Sequence, residues 1–280
     1  MRIDRMPHTR AGTTGWLLDR RRVVRLLAAC AVAVAAGPLL AQSRVASRPT
    51  EAADNHPLSP AIRYARTGYD ALDKVQDYHA RFVKQEWIDG GFAVQTMEMK
   101  LREKPFSVYL KFGPPHEGRE VLYVDGRNGG QLLARDSGIK SLVGTISLDP
   151  TGRTAMAGNR YPVTMIGMRK MLDSLVAQWE QDRRQADVAV KYYPDAKVGD
   201  LRCKVIESTI PTRREGAKFH RTRLYLDADN GLPIRLQQYD WPAQAGAEPP
   251  LVEEYSYLEL RTNLGLADGD FDVKNPEYGF

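Results

Sequence analysis

From Tyr78 onward the large apolar residues recur with a period of two, segment after segment, and the segments are divided by residues that turn chains. YHARFVKQEWI, FAVQTMEMKLRE, FSVYLKF, EVLYV and QLLARD are separated by Asp89-Gly90-Gly91, Lys104-Pro105, Gly113-Pro114-Pro115 and Asp125-Gly126, and Ser137-Gly138 ends the series. A period of two sends successive side chains to opposite faces of a strand, and Asp-Gly or Gly-Pro punctuation reverses the chain into an antiparallel neighbour. The first two segments therefore predict a long hairpin, and the rest predict sequential neighbours. The pattern resumes in DVAVKYYP, LRCKVIESTI, HRTRLYLDADNGLPIRLQQYDW with a turn at Asp229-Asn230-Gly231, and LVEEYSYLELRTN. The tail FDVKNPEYGF reads as irregular.

Two segments break this period and take a helical one. In LSPAIRYARTGYDALDKV, Ser59 is placed to cap a helix with Pro60 in its first turn, and Ile62, Ala65, Tyr69, Leu72 and Val75 form one stripe. In VTMIGMRKMLDSLVAQWEQDRR, Met165, Met168, Leu172, Leu175, Val176 and Trp179 share a face. A helix with one apolar stripe must lie on something. The order helix, five strands, helix, about five strands predicts an α+β fold: a curved antiparallel β-sheet, a half-barrel, covered by a few helices. With no internal repeat and no second composition regime, residues 58–280 read as a single domain.

Residues 1–43 read differently. The stretch DRRRVVRLLAACAVAVAAGPLLAQS has a basic start, an apolar run from Leu26 to Ala36, a Gly-Pro break, and small residues near Ala41 and Ser43 that suit cleavage. This is the layout of an export signal, and the apolar run is too short for a stable membrane span. Arg20-Arg21 fits a twin-arginine signal as well as an ordinary secretory one, and the two remain open. Residues 44–57, polar and aperiodic, read as a disordered linker. Seven Arg against Asp4 and Asp19 in residues 1–42 account for the whole formal net charge of +5. The remainder is formally neutral, so no nucleic-acid partner is expected. After cleavage only Cys203 remains, read as a buried apolar residue with no disulfide to form.

No chemistry of catalysis stands out. His79, His116 and His220 have no His or Cys at metal-ligand spacing, and there is no nucleophile elbow, phosphate-cradling loop or dinucleotide fingerprint. No metal and no cofactor are expected, and the protein is read as a non-enzyme, although carboxylates without diagnostic spacing leave a hydrolase as an alternative.

The stretches RFVKQEW, MKLREKPFSVYLKFGPP and LYVDGRNGGQLLAR resemble the periplasmic lipoprotein-carrier superfamily (LolA/LolB-like). KPFSVYLKF, GREVLYVDG, GNRYPVT and FDVKNPEYGF resemble a family of bacterial exported proteins of unknown function related to those carriers. The resemblance spans nearly all of residues 59–280. It implies a half-barrel with an apolar concave face, closed by helices, that holds acyl chains or another hydrophobic ligand. The carriers have an Arg between the two Pro positions that helps keep the cavity closed. Here Phe106–Phe112 contains none, and Val108 stands nearest that position.

These considerations set the expected site. Phe106, Val108, Leu110 and Phe112 share one strand face, and with Phe82, Met97, Met99 and Leu101 they are expected to line a ligand cavity, the alternative being plain packing beneath the helices. Arg119, Arg160 and Tyr161 are expected at its mouth, gripping a phosphate or carboxylate headgroup; pairing with a carboxylate such as Glu120, or clamping the turn before Pro162, is the structural alternative. The function expected is that of an exported, periplasmic, monomeric carrier or sensor for a lipid, an acyl chain or a lipidated protein. The competing expectation is a regulatory domain that binds an envelope protein partner.

Overall fold

The computed structural model describes residues 55–184 and 187–280, so the expected export signal and most of the expected linker lie outside the described residues. The first amphipathic stripe forms α1 (Leu58–Leu72), which buries Leu58, Ala61, Ile62, Ala65 and Leu72. The cap expected at Ser59 is not used. The helix begins two residues earlier, with Pro57 at the cap position, and His56 serves its end: the ring Nδ1 accepts from the Leu58 N–H at 3.1 Å and the carbonyl accepts from the Ser59 N–H at 2.9 Å. A helix start leaves N–H groups without intrahelical partners, and these two are thereby satisfied.

The alternating segments become β1 (Asp77–Ile88), β2 (Gly91–Arg102), β3 (Ser107–Phe112), β4 (Glu120–Val124), β5 (Leu132–Arg135) and β6 (Ile146–Leu148). The chain then passes through α2 (Arg153–Met156) and α3 (Met168–Asp182) into β7 (Ala189–Val198), β8 (Leu201–Thr209), β9 (Arg221–Asp227), β10 (Pro233–Tyr239) and β11 (Leu251–Thr262). All eleven strands form one antiparallel sheet in the order β6-β5-β4-β3-β2-β1-β11-β10-β9-β8-β7. The first six strands step outward from the middle, α3 carries the chain across, and the last five step back in. The sheet is open, because β6 and β7 are its two edges. The short β6 was not foreseen. The Asp89-Gly90 turn between β1 and β2 has positive φ at both residues, 52° and 78°, as the tight turn of a twisted hairpin requires.

The seam between β1 and β11 joins the two halves of the sheet, and α3 is fastened over it. Tyr78 of β1 and Tyr257 of β11 are buried with their rings edge-on, centroids 6.2 Å apart. Their hydroxyls accept from the backbone N–H groups of Met168 and Gly167, each at 3.1 Å, so two strands cap one helix. Gly167 holds φ at +111°, and a Cβ there would stand 2.8 Å from Leu101 Cδ1 and 3.2 Å from the Tyr78 hydroxyl. Only glycine permits both that backbone and that approach. The same residue explains a correction to the second helix. Met165 precedes the break, lies in a short 3-10 turn (Val163–Met165) and is half-exposed, while Met171 joins Met168, Leu172, Leu175, Val176 and Trp179 on the buried face.

The other sheet face is not left to water either. The irregular tail lies across β3 and β4, where Phe271 packs with Tyr109, Leu122 and Val124, and Tyr278 stacks on Tyr109 at 3.8 Å. The buried Asp77 carboxylate anchors its start by accepting from the N–H groups of Leu264, Gly265 and Leu266. Among the described residues no helix is long and apolar enough to cross a membrane.

Gly167→Ala is expected to lose about 2–4 kcal/mol of stability, combining forbidden φ with a core clash. Tyr78→Phe is expected to lose about 1–3 kcal/mol by leaving a buried N–H unpaired. Chemical denaturation of both variants checks this; a Gly167→Ala protein as stable as the parent would show that the helix start can move.

Candidate functional site

Strand phase decides what the concave face presents. Along β1 the residues facing the helices are Tyr78, Ala80, Phe82, Lys84 and Glu86; along β2 they are Leu101, Met99, Met97, Gln95 and Ala93; along β11 they are Tyr257, Tyr255 and Glu253. The apolar members at one end pack beneath the helices. Toward the other end the same rows become polar, and there the sheet and α3 part to leave a cavity of about 970 Å³.

One side of this cavity is apolar, with Leu110 and Phe112 of β3, Val121 of β4, Leu132 of β5 and Leu148 of β6. Met165, Ile166, Met171 and Leu175 roof it from the crossing segment and α3. Of the residues singled out from the sequence, Phe82, Met97, Leu110, Phe112, Arg119 and Tyr161 border the cavity. Met99, Leu101 and Val108 are fully buried in the core instead, and Phe106 packs against that core with its ring 6.1 Å from Tyr123. Arg160 lies behind the wall, turned to the sheet.

The mouth arginines are already paired. Arg119 Nε donates to Asp136 at 2.5 Å, a different partner from the Glu120 considered above. Arg160 Nε donates to Glu253 at 2.6 Å and its Nη1 to the Trp87 carbonyl at 3.3 Å. Both arginines therefore take the structural alternative in this state, and Arg160 clamps the turn before Pro162 to the sheet.

The polar side of the cavity was missed. Glu86 and Glu253 face each other across β1 and β11, and both are 1% exposed. Glu86 accepts from the Tyr255 hydroxyl at 2.6 Å, from the Arg160 N–H at 3.2 Å, and pairs with Lys84 at 3.2 Å. Glu253 accepts from Arg160 and, at 3.2 Å, from the Tyr161 hydroxyl. Lys84 also donates to Asn159 Oδ1. Burial pushes the Glu253 carboxyl up to about 7 against the pull of Arg160 and Tyr161, and burial lowers the Lys84 ammonium against the pull of Glu86. The signal was present in the sequence: Lys84, Glu86 and Glu253 occupy the apolar phase of their strands.

The histidines do not converge. His79 pairs with Glu98 at 2.9 Å and His220 Nδ1 meets the Ile210 carbonyl at 2.8 Å, while His116 lies at the cavity mouth. Among the described residues no cluster of His, Cys, Asp or Glu could hold a metal ion. Cys203 is buried and free.

Glu253 gives a pH test. Its folded pKa of about 7 exceeds the ordinary 4.5, so the folded state binds the proton more tightly than the unfolded one. This contribution is complete below pH 4.5 and is lost as pH rises through 7, at a cost on the order of 2–4 kcal/mol. The unfolding midpoint is expected to fall between pH 5 and pH 8, and Glu253→Gln is expected to flatten that fall. An equal slope in both proteins would place the titration elsewhere.

Comparison with solved structures finds low identity over most of the chain. The Pseudomonas aeruginosa MucA/MucB complex matches at 17% identity and TM-score 0.44, covering 76% of this chain and 61% of that one. The Mycobacterium tuberculosis lipoprotein LppX matches at 13% identity and TM-score 0.37, covering 74% and 99%. A LolA superfamily protein from Nitrosomonas europaea matches at 12% identity and TM-score 0.29, covering 74% and 97%. No curated protein matches the sequence. The match that identifies the chain is to a sequence family spanning residues 75–280: the protein belongs to the DUF1571 family, described as proteins of unknown function.

Proposed function

We propose that the protein is an exported, non-catalytic carrier or sensor that holds a lipid, an acyl chain or another hydrophobic ligand between its sheet and α3, within a single domain of residues 58–280. The observation that carries this reading is the open cavity of about 970 Å³, at the upper end of the range for small-molecule pockets. Each methylene moved from water into it contributes about 0.8 kcal/mol, so one long chain supplies useful affinity without any ionic contact. Export rests on the basic, apolar and small-residue sequence of residues 1–43. The non-catalytic assignment is supported by the carboxylates: each oxygen of Glu86 and Glu253 is engaged by a donor of the protein itself.

A second reading, a scaffold for an envelope protein, is favoured by one observation. Trp87, Phe92 and Val94 stand 49%, 41% and 47% exposed around the tip of the β1–β2 hairpin, with the two rings 6.4 Å apart. A scaffold of this kind would be free to fill its interior with its own side chains, so the open cavity weighs toward the ligand.

Fluorescence of N-phenylnaphthylamine, an uncharged apolar probe, tests the ligand reading. The protein is expected to enhance and saturate it. Ala134→Trp, which fills the cavity from β5, and Leu110→Arg, which puts a charge on its apolar side, are expected to weaken binding at least tenfold. Absence of enhancement in the parent protein would end the ligand reading. Unchanged binding in a folded Ala134→Trp protein would move the ligand out of this cavity.

A further inference from the structure

Resting on the reading that the cavity holds an amphiphile, we infer that the bound head is uncharged and hydroxylated, and that it docks on Lys84 and Gln95 at the polar side while its chain lies along β3 to β6. The first support is charge. Lys84 is paired with Glu86 at 3.2 Å and Arg160 with Glu253 at 2.6 Å, two cations against two carboxylates. With Glu253 ionised, as it is above pH 7, the polar side is thus neutralised from within. A phosphate, carboxylate or ammonium head brought against it would be desolvated with no counter-charge to meet it, whereas a neutral head loses only hydrogen bonds that the wall can replace.

The second support is a vacancy in the hydrogen-bonding of the wall. Gln95 lies opposite Lys84 across β1 and β2, both border the cavity, and the buried Gln95 Oε1 has no hydrogen-bond donor. An ammonium offers three N–H donors, and those of Lys84 have two acceptors, Glu86 and Asn159. One donor and one acceptor, side by side on adjacent strands, therefore remain for a guest. A hydroxyl is both donor and acceptor and answers both at once. A carboxylate can only accept and would leave Gln95 unanswered; an ammonium can only donate and would face Lys84.

The third support is direction. The apolar residues Leu110, Phe112, Leu132 and Leu148 continue from this point toward the β6 edge, giving a chain attached to such a head a path along the sheet. The rival position for a head is the mouth beside β5, where Arg119 and Arg135 border the cavity. Arg119 is engaged by Asp136, and Arg135 is only partly buried, so a head there would keep contact with water and would be anionic.

Displacement of N-phenylnaphthylamine by palmitoyl compounds that differ only in the head separates these outcomes. Monopalmitoylglycerol is expected to displace the probe at concentrations at least tenfold lower than palmitoyl lysophosphatidate, palmitate or palmitylamine. Gln95→Leu is expected to raise the monopalmitoylglycerol concentration needed by about three- to tenfold, the worth of one neutral hydrogen bond, and to leave the anionic probes unchanged. Equal or tighter binding of the anionic compounds would overturn the inference and place the head at Arg119 and Arg135, with the ligand reading intact. Unchanged monopalmitoylglycerol binding in Gln95→Leu would remove Gln95 from the head site. Failure of the parent protein to bind the fluorescent probe at all would instead defeat the ligand reading on which the inference rests.

Discussion

Two tyrosine hydroxyls hold the architecture together. A sheet built by two series of strands that advance from opposite directions needs one place where the series meet, and that place is the β1–β11 seam. Tyr78 and Tyr257 arise one from each side of it and both cap α3, so the same pair of groups registers the two halves and fixes the helix above them. Buried hydroxyls and buried N–H groups are costly apart and satisfied together. Gly167 makes the contact sterically attainable, and the crossing segment it ends forms a wall of the cavity. The cavity is therefore a consequence of how the crossing is fastened.

The seam also explains why the cavity is amphipathic. Each central strand keeps one phase toward the helices, but the residue type along that phase changes, from Tyr78, Ala80 and Phe82 to Lys84 and Glu86 on β1, and from Tyr257 to Glu253 on β11. Where the phase is apolar the helices sit down on it. Where it turns polar they cannot, because burying those groups against an apolar stripe would leave them unpaired. The crossing segment resolves part of the conflict by sending Asn159, Arg160 and Tyr161 to the charged groups, and the space between the two regimes stays open.

Much of this was legible in the sequence. Strand periodicity and turn residues gave ten of the eleven strands near their places, since a period of two with Asp-Gly or Gly-Pro breaks leaves few other solutions. Phe82, Met97, Leu110 and Phe112 border the cavity while Met99, Leu101 and Val108 of the same phase lie in the core, because phase alone does not say how far along a strand the helices reach. Pairing of the arginines with a carboxylate is a reading the sequence offers, but it does not name Asp136 and Glu253, which lie 17 and 93 residues away along the chain. Met165 was assigned to the helix because the stripe continues through it, and only the backbone at Gly167 breaks the turn. The tail has no periodicity to read, yet its aromatic residues cover the outer face. Charged residues in an apolar phase were the overlooked clue to the polar side.

Mass spectrometry of the intact protein under native conditions, purified gently from its host and followed by fragmentation of any bound species, tests the central claim most directly. The account predicts a stoichiometric adduct of one amphiphile that is lost when Ala134→Trp fills the cavity. A protein that is stable, homogeneous and free of any adduct, in parent and variant alike, would contradict it.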